Sequence, residues 1–398
     1  MINKKLTAKI VLGLMLATPY TAFAAQESGS IDSTTEINES INVVSDKTYG
    51  TKPGISYGLY AESDDNIQLT GDEITITSNQ EESNGSRAVM IEGGAVSLGN
   101  GNSVIEINAN GNSAMGVFAF KENSKFTVNA SSFVINVNTP GAFALHVQNN
   151  TETANAPENA ASVNINAENI VINGTDLGIS AFSNGQMDIN GNLVVNAKNA
   201  IDTRGNATIN INTDGKHTTV LNGDIVFETP NSPGDAQNSG KIINSNVNIN
   251  LSGEGSSWTG RAYQEYKIDG EYVDKVELEA PEYHGNVTGF KMSINDGASW
   301  NMTGDSFINN VNLTDDGVIN MQESATEFNA TEIGLNEGII NLQGENQEVN
   351  VVTLTGAGGT VNTNSLNNKM TIDTVADSTS VTVNGSGEIA DAILGGNA

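Results

Sequence analysis

The 398-residue chain has no cysteine, three histidines, seven prolines and two tryptophans. Without cysteine there is neither a disulfide framework nor a thiolate metal site, so stability rests on burial and backbone pairing. His146, His217 and His284 stand far apart with no ligand spacing, so no metal centre and no cofactor is expected. Basic residues are scarce: 17 Lys and Arg against 47 Asp and Glu give a formal charge of −30. Such a surface repels phosphate backbones and anionic lipid, which excludes nucleic acid as a partner. Long apolar runs are missing too, the best being residues 10–17, "IVLGLMLA". That is well below the ~20 residues needed to span a bilayer.

The same run follows Lys4, Lys5 and Lys9 and precedes Ala22-Phe23-Ala24. Basic start, apolar middle and small-x-small cleavage site in that order make residues 1–24 a secretory signal peptide. The mature chain, from Ala25, is expected to be exported to the cell surface, outer membrane or extracellular space.

What the chain has in quantity is Asn, Gly, Val and Ile. In "SVNINAENIVING" (162–174) apolar residues alternate with Asn and the run stops at Asn173-Gly174. Alternation with period two is a strand signal and Asn-Gly a turn signal. The grammar recurs in "EINANGN", "INVNTPG", "MDINGN", "ATININTDG" and "VNINLSGEG". Disorder is excluded because Val and Ile fall at strand spacing rather than at random.

A longer period lies above this one. "SYGLYA", "SRAVMI", "AMGVFAF", "AFALHV", "LGISAF" and "NAIDT" share a small residue followed by alternating apolars. Gly58, Ala88, Gly116, Phe143, Gly178 and Ala200 serve as anchors, at intervals in the range of solenoid repeats. Each unit is followed by two more strand-like runs. Three strands per repeat describe one turn of a parallel β-helix, stacked at ~4.8 Å. Asn then has two uses: its amide can donate and accept along a stack where like charges would repel, and it tolerates tight bends. Antiparallel hairpins closed by Asn-Gly are the competing reading.

Three segments interrupt the pattern. Residues 148–162 and 229–240 are polar, turn-rich insertions, expected as loops. Residues 258–286 carry Trp258, Tyr263, Tyr266, Tyr272 and Tyr283, with Asp269-Gly270 between two alternating runs. This predicts a β-hairpin standing off the stack. Tyrosine offers flat contact area with a polar tip, so these five aromatics are the candidate binding residues; packing against the repeat is the alternative.

From about residue 291 the strands become shorter and more regular. Residues 297–322, "GASWNMTGDSFINNVNLTDDGVINMQ", resemble the Trp-x-x-x-Gly-Asp-Ser…Leu-x-Leu…Gly element late in autotransporter passenger domains of the pertactin-like group. "LTGAGGTVNTN" (354–364) is similar to the Gly-rich run that follows it. The resemblance, with signal peptide and repeats, covers nearly the whole chain. It implies a right-handed parallel β-helix, a C-terminal stretch that helps nucleate folding, and display on the outer surface of a Gram-negative-type cell. It also implies a membrane barrel of alternating ~10-residue strands. None follows by Ala398; the chain is expected to be the front part of a longer product, with its own translocator barrel as a partner in that case, and secretion by another route is the alternative.

Catalytic constellations are incomplete. Asn212-Thr213-Asp214-Gly215 resembles one element of a polygalacturonase site, but the Asp pairs, Asp64-Asp65 and Asp315-Asp316, lie far off in the repeat order. A lyase would need clustered basic residues, and Arg87, Arg204 and Arg261 fall in distant repeats. Asp202 and Arg204 share a strand face, as a surface ion pair would. Gly304-Asp305-Ser306 lacks a following glycine, and no histidine motif accompanies it. "DGEYVD" and "TDDG" lack the spacing of a calcium loop.

The sequence thus predicts an all-β chain: signal peptide 1–24, a parallel β-helix over 25–290 with its hairpin near 258–286, and a C-terminal pertactin-like region over 291–398. The expected role is a surface adhesin or structural stalk, not an enzyme, contacting a protein or glycan of a host or neighbouring cell. A polysaccharide lyase or glycoside hydrolase is the alternative, to be betrayed by Asp, Arg or His converging in one groove. A third possibility, rods that pair with one another, would show as ladders of exposed Asn and Thr along one face.

Overall fold

The computed structural model describes residues 26–28, 30–45, 55–80, 85–149, 158–228, 243–268, 271–274 and 287–385. The signal-peptide segment, residues 229–240, most of the 148–162 insertion and Tyr283 lie outside them. The regular structure described is all β: 31 strands in one long, mostly parallel sheet. Among these strands, antiparallel register occurs only between Ala262–Ile268 and Glu271–Asp274 and at the single pair Asn336↔Gly358. The Asn-Gly sites therefore turn the chain between parallel partners and do not close hairpins.

Pairing sorts the strands into three columns. The first runs through Ser56–Glu62, Ser86–Glu92, Met115–Phe120, Phe143–Gln148 and Leu177–Phe182. It continues through the ends of Gln186–Arg204 and Thr219–Glu228 to Ala262–Ile268. The second begins at Thr35–Ile37, Asn66–Leu69 and Ala95–Leu98 and takes the opening halves of Lys125–Val137 and Ser162–Gly174. It passes through Thr208–Ile211 to Ile243–Ser252 and Val287–Asn295. The third takes Ile41–Ser45, Glu73–Gln80, Val104–Gly111 and the closing halves of the two long strands. It ends on Ser257–Gly260, Ser299–Met302, Val318–Met321, Ile339–Leu342, Ala357–Thr363 and Ser380–Asn384. The three runs per repeat read from the sequence are these three columns.

Alternation decides which side chains go in. Along Lys125–Val137 the buried residues are Phe126, Val128, Ala130, Phe133, Ile135 and Val137, and one continuous core extends from Ile31 to Met370. Each fully buried Val, Leu or Ile contributes about 2 kcal/mol. The small anchors form an inward row beside the third column's β-branched residues. A Cβ on Gly116 would lie 2.5 Å from Ile135 Cγ2, and one on Gly178 would lie 2.6 Å from Val195 Cγ1. Register corrects one anchor: with Met115↔Phe143 and Val117↔Leu145 paired, Ala144 sits over Gly116, and Phe143 takes the outward position.

The asparagines do stack. In the third column Asn136, Asn173, Asn196 and Asn222 each donate an Nδ2–H to the Oδ1 of the asparagine one strand back, starting from Asn108, at 2.8–3.0 Å. Thr259 takes the next position. The ladder then resumes with Asn320, Asn341, Asn362 and Asn384 on Asn301, at 2.7–3.0 Å. Successive partners are 23–37 residues apart in the first ladder and 19–22 in the second. That contrast is the regularity the sequence shows from about residue 291.

Candidate functional site: an aromatic and arginine face

The outward side of the first column differs from the rest of the surface. Tyr57, Tyr60, Phe118, Phe120, Phe143, Phe182 and Tyr263 all project there, outside the continuous core. The other described Phe and Trp side chains, from Phe126 to Phe328, belong to the core. All three arginines of the chain, Arg87, Arg204 and Arg261, stand on or beside this face.

His146 is the hub. The rings of Phe118, Phe143 and Phe182 surround it at centroid distances of 5.0, 4.9 and 4.9 Å. Its Nε2 lies 3.1 Å from Gln148 Oε1, and its Nδ1 lies 2.7 Å from the Ser180 hydroxyl. A carbonyl oxygen can only accept, so Nε2 carries the proton and Nδ1 accepts from Ser180. Burial pushes the His146 pKa down to about 4; the Gln148 contact opposes this, and the Arg204 and Arg87 charges add to it.

Cations line the rims. Arg204 lies 4.3 Å over the Phe182 ring and 3.7 Å from Glu228. Arg261 lies 4.1 Å over Tyr263, with its Nε 3.4 Å from Asp224. Lys121 reaches Glu92 at 2.7 Å, 5.8 Å from the Phe120 ring. Arg87 donates to the carbonyls of Ser113 and Ser86, and burial lowers its pKa. Tyr57 and Tyr60, 5.0 Å apart, are both held above the usual phenol range, first by burial and then by the Glu92 charge. Tyr57, Phe182 and Tyr263 are buried, and Tyr60, Phe118, Phe120 and Phe143 are half-buried, so the latter four supply the accessible aromatic area. Such area beside fixed cations is the chemistry of a contact surface for sugar rings or protein side chains.

His146, Ser180 and Asp202 occupy one row on successive strands. They have the residue types of a serine hydrolase without its geometry. The serine sits between the other two, its hydroxyl is fully buried, and its neighbour is a weak base with a pKa of about 4.

The predicted binding residues separate. Trp258 is fully buried in the core, parallel to Trp300, and its Nε1–H donates to the Gly223 carbonyl at 2.8 Å. It has no surface to offer a partner, because the alternation that makes its neighbours outward turns it in. Tyr263 does lie on the face, nearly buried beneath Arg261. Tyr266 and Tyr272 stand on the antiparallel pair Ala262–Ile268 and Glu271–Asp274, opposite Val273 and Lys267. The expected antiparallel pair is present over Glu265–Ile268 and Glu271–Asp274, and it leaves the first column after Glu265, which still pairs with Glu228. Tyr283 lies outside the described residues. The other aromatics of the face were missed, although "SYGLYA" and "MGVFAF" each place two, and "LGISAF" one, at outward positions of the unit.

The remaining motifs are structural. Asn212 is buried at φ 47°, accepts from Gly191 N–H and donates to the Gly191 carbonyl and the Thr219 hydroxyl. Asp214 pairs with Lys216 at 3.1 Å on the surface, and the Lys216 contacts lower its pKa. Asp315 and Asp316 form a left-handed bend at φ 49° and 62°. Asp305 Oδ1 accepts from the backbone of Thr326 and Glu327, tying one strand turn to the next. Ser306 accepts from Ala262 N–H and donates to the Gly304 carbonyl. Among the described residues no group of three His, Asp or Glu could hold a metal ion. A groove of about 340 Å³ on the second column contains Lys291 and Glu332 among Asn, Ser and Thr. It offers one carboxylate, where glycoside cleavage uses two.

Compared with protein-family models, with curated proteins and with solved structures, the chain gives no match.

Proposed function

We propose that the chain is a right-handed parallel β-helix of the autotransporter-passenger kind, exported and serving as a surface adhesin or structural stalk. The parallel columns support the solenoid, and the strong preference of parallel crossovers for one hand supports its sense. The third column's strands, stacked at ~4.8 Å, make a rod about 60 Å long. Binding, not catalysis, is its work. The partner is a protein or glycan on another cell, met by the first-column face.

The observation that carries the reading is the gathering of every outward aromatic described, and of all three arginines, on one face of a protein otherwise rich in carboxylates. Adhesion of the mature protein to epithelial cells and to immobilised glycan arrays tests it. Tyr60→Ala with Phe120→Ala, both half-buried outward residues, should weaken adhesion at least tenfold at unchanged thermal stability. Adhesion untouched by the pair, or absent from the parent protein, overturns the assignment.

A further inference from the structure

The outward side of the third column is as unusual as that of the first, in the opposite way. Two lanes run along it. One is the asparagine ladder, from Asn108 to Asn384, broken once by Thr259. Beside it, in register, runs a lane that includes Val134, Val171, Val194, Val220, Val318 and Ile339. Ser257 and Ser299 fill the middle of this lane, and Thr360 and Thr382 close it. From Val134 onward neither lane holds a charged residue, although the chain carries a formal charge of −30. Val44, 43% exposed, stands in the asparagine lane two strands before Asn108, and Glu106 is the charged residue at which the valine lane begins to differ.

From this we infer that the third-column face pairs with the same face of a second copy of this chain. Charge decides the partner. Two molecules this acidic repel over most of their surface, and this strip is where they can meet without opposing carboxylates. Its chemistry is also self-complementary. Each ladder amide already donates one N–H and accepts one along the column, so the strip presents methyl groups and half-paired amides, which lose less than free amides or carboxylates when water is removed. Repeating rungs at one spacing allow a two-fold axis along the strip to bring each rung against the same rung of the partner.

Size sets the strength. Ten charge-free rungs at ~4.8 Å, two outward residues wide, give about 600 Å² per partner. A standard stable interface uses about 800 Å² a side. The pair is therefore weak and reversible, and it strengthens with salt, because the Debye length shrinks from about 10 Å at 0.1 M to about 3 Å at 1 M.

Sedimentation equilibrium of the mature protein from 0.1 to 1 M NaCl tests this. The parent protein shows a concentration-dependent monomer–dimer equilibrium, at least tenfold tighter in 1 M salt. Val194→Lys with Ile339→Lys, both outward, weakens it at least tenfold with unchanged thermal unfolding. The absence of native cysteine allows a second readout if those lysines disturb the fold. Val194→Cys under mild oxidation forms a covalent dimer, whereas Ser293→Cys on the second column does not. The Tyr60→Ala, Phe120→Ala protein dimerises as the parent does, so this result is independent of adhesion. A monomer at every salt concentration, equal cross-linking from both cysteines, or a dimer lost with Tyr60 and Phe120 overturns the inference.

Discussion

The indole of Trp258 lies on that of Trp300, ring centroids 4.3 Å apart and planes 14° from parallel. Each Nε1–H finds a backbone carbonyl, Trp258 on Gly223 and Trp300 on Gly260. In strand register the two rings occupy the inward row that isoleucine fills further on, at Ile319 and Ile340. Trp300→Ala should cost about 4 kcal/mol, read from urea unfolding. An outward substitution such as Asn301→Ala should cost much less, and equal losses would disprove the inward stack.

The asparagine ladder makes a prediction that depends on charge. Asn341 donates to Asn320 at 2.8 Å and accepts from Asn362 at 2.7 Å. Asn341→Asp keeps the shape but sets a carboxylate oxygen against the Asn320 carbonyl oxygen. At pH 7 the loss should be about 1–2 kcal/mol. It should shrink as pH falls below 4, where the new carboxyl regains a proton to donate. Parallel pH profiles of parent and variant check this.

His146 ties stability to mildly acidic pH. Its folded pKa of about 4 lies below the 6.5 of the free side chain, so between these values the unfolded chain binds the extra proton. Stability from this site is complete above pH 6.5 and is lost as pH falls, by about 2 kcal/mol at pH 5 and about 3 kcal/mol at pH 4. The parent-minus-variant difference for His146→Gln, taken from urea unfolding at several pH values, should follow that window. A flat difference would show that the ring is not buried neutral.

Gln264 is fully buried beside Phe227 in register, and among the described residues neither its Oε1 nor its Nε2 has a hydrogen-bond partner. A buried, unsatisfied amide costs more than an apolar side chain of similar size. Gln264→Leu should therefore stabilise the protein by about 1–2 kcal/mol, seen as a higher urea midpoint at unchanged slope. Destabilisation would mean that the amide is satisfied in solution.

Much of the fold was legible because the signals are local. Valine and isoleucine at alternate positions of residues 162–174 can form only a half-buried strand, and the recurring Gly58, Ala88, Gly116, Gly178 and Ala200 mark one position of a repeat. Register was legible only to within a residue, which is why Phe143 stood in for Ala144. The candidate site was far less legible. Phe118, His146 and Phe182 are dozens of residues apart, and alternation alone cannot say which neighbours share a rung. Tyr263 was named because tyrosines cluster near it, and its place on the first-column face came only with register. Trp258 was misplaced because aromatic content does not reveal which side of a strand a residue takes.

Composition and spacing therefore determined that this chain is all β, without disulfides, acidic, and built of three-strand repeats in which Asn and Gly make the bends. Those follow from backbone sterics and side-chain period, which act over a few residues. Tertiary structure decided how the repeats register: that the asparagines form one ladder, that the two tryptophans stack inside, and that aromatics and arginines gather on one face while charge leaves another. Such neighbours are set by hydrogen bonds between strands 19–45 residues apart in the chain, and so by the length of each connecting segment, which no local pattern encodes.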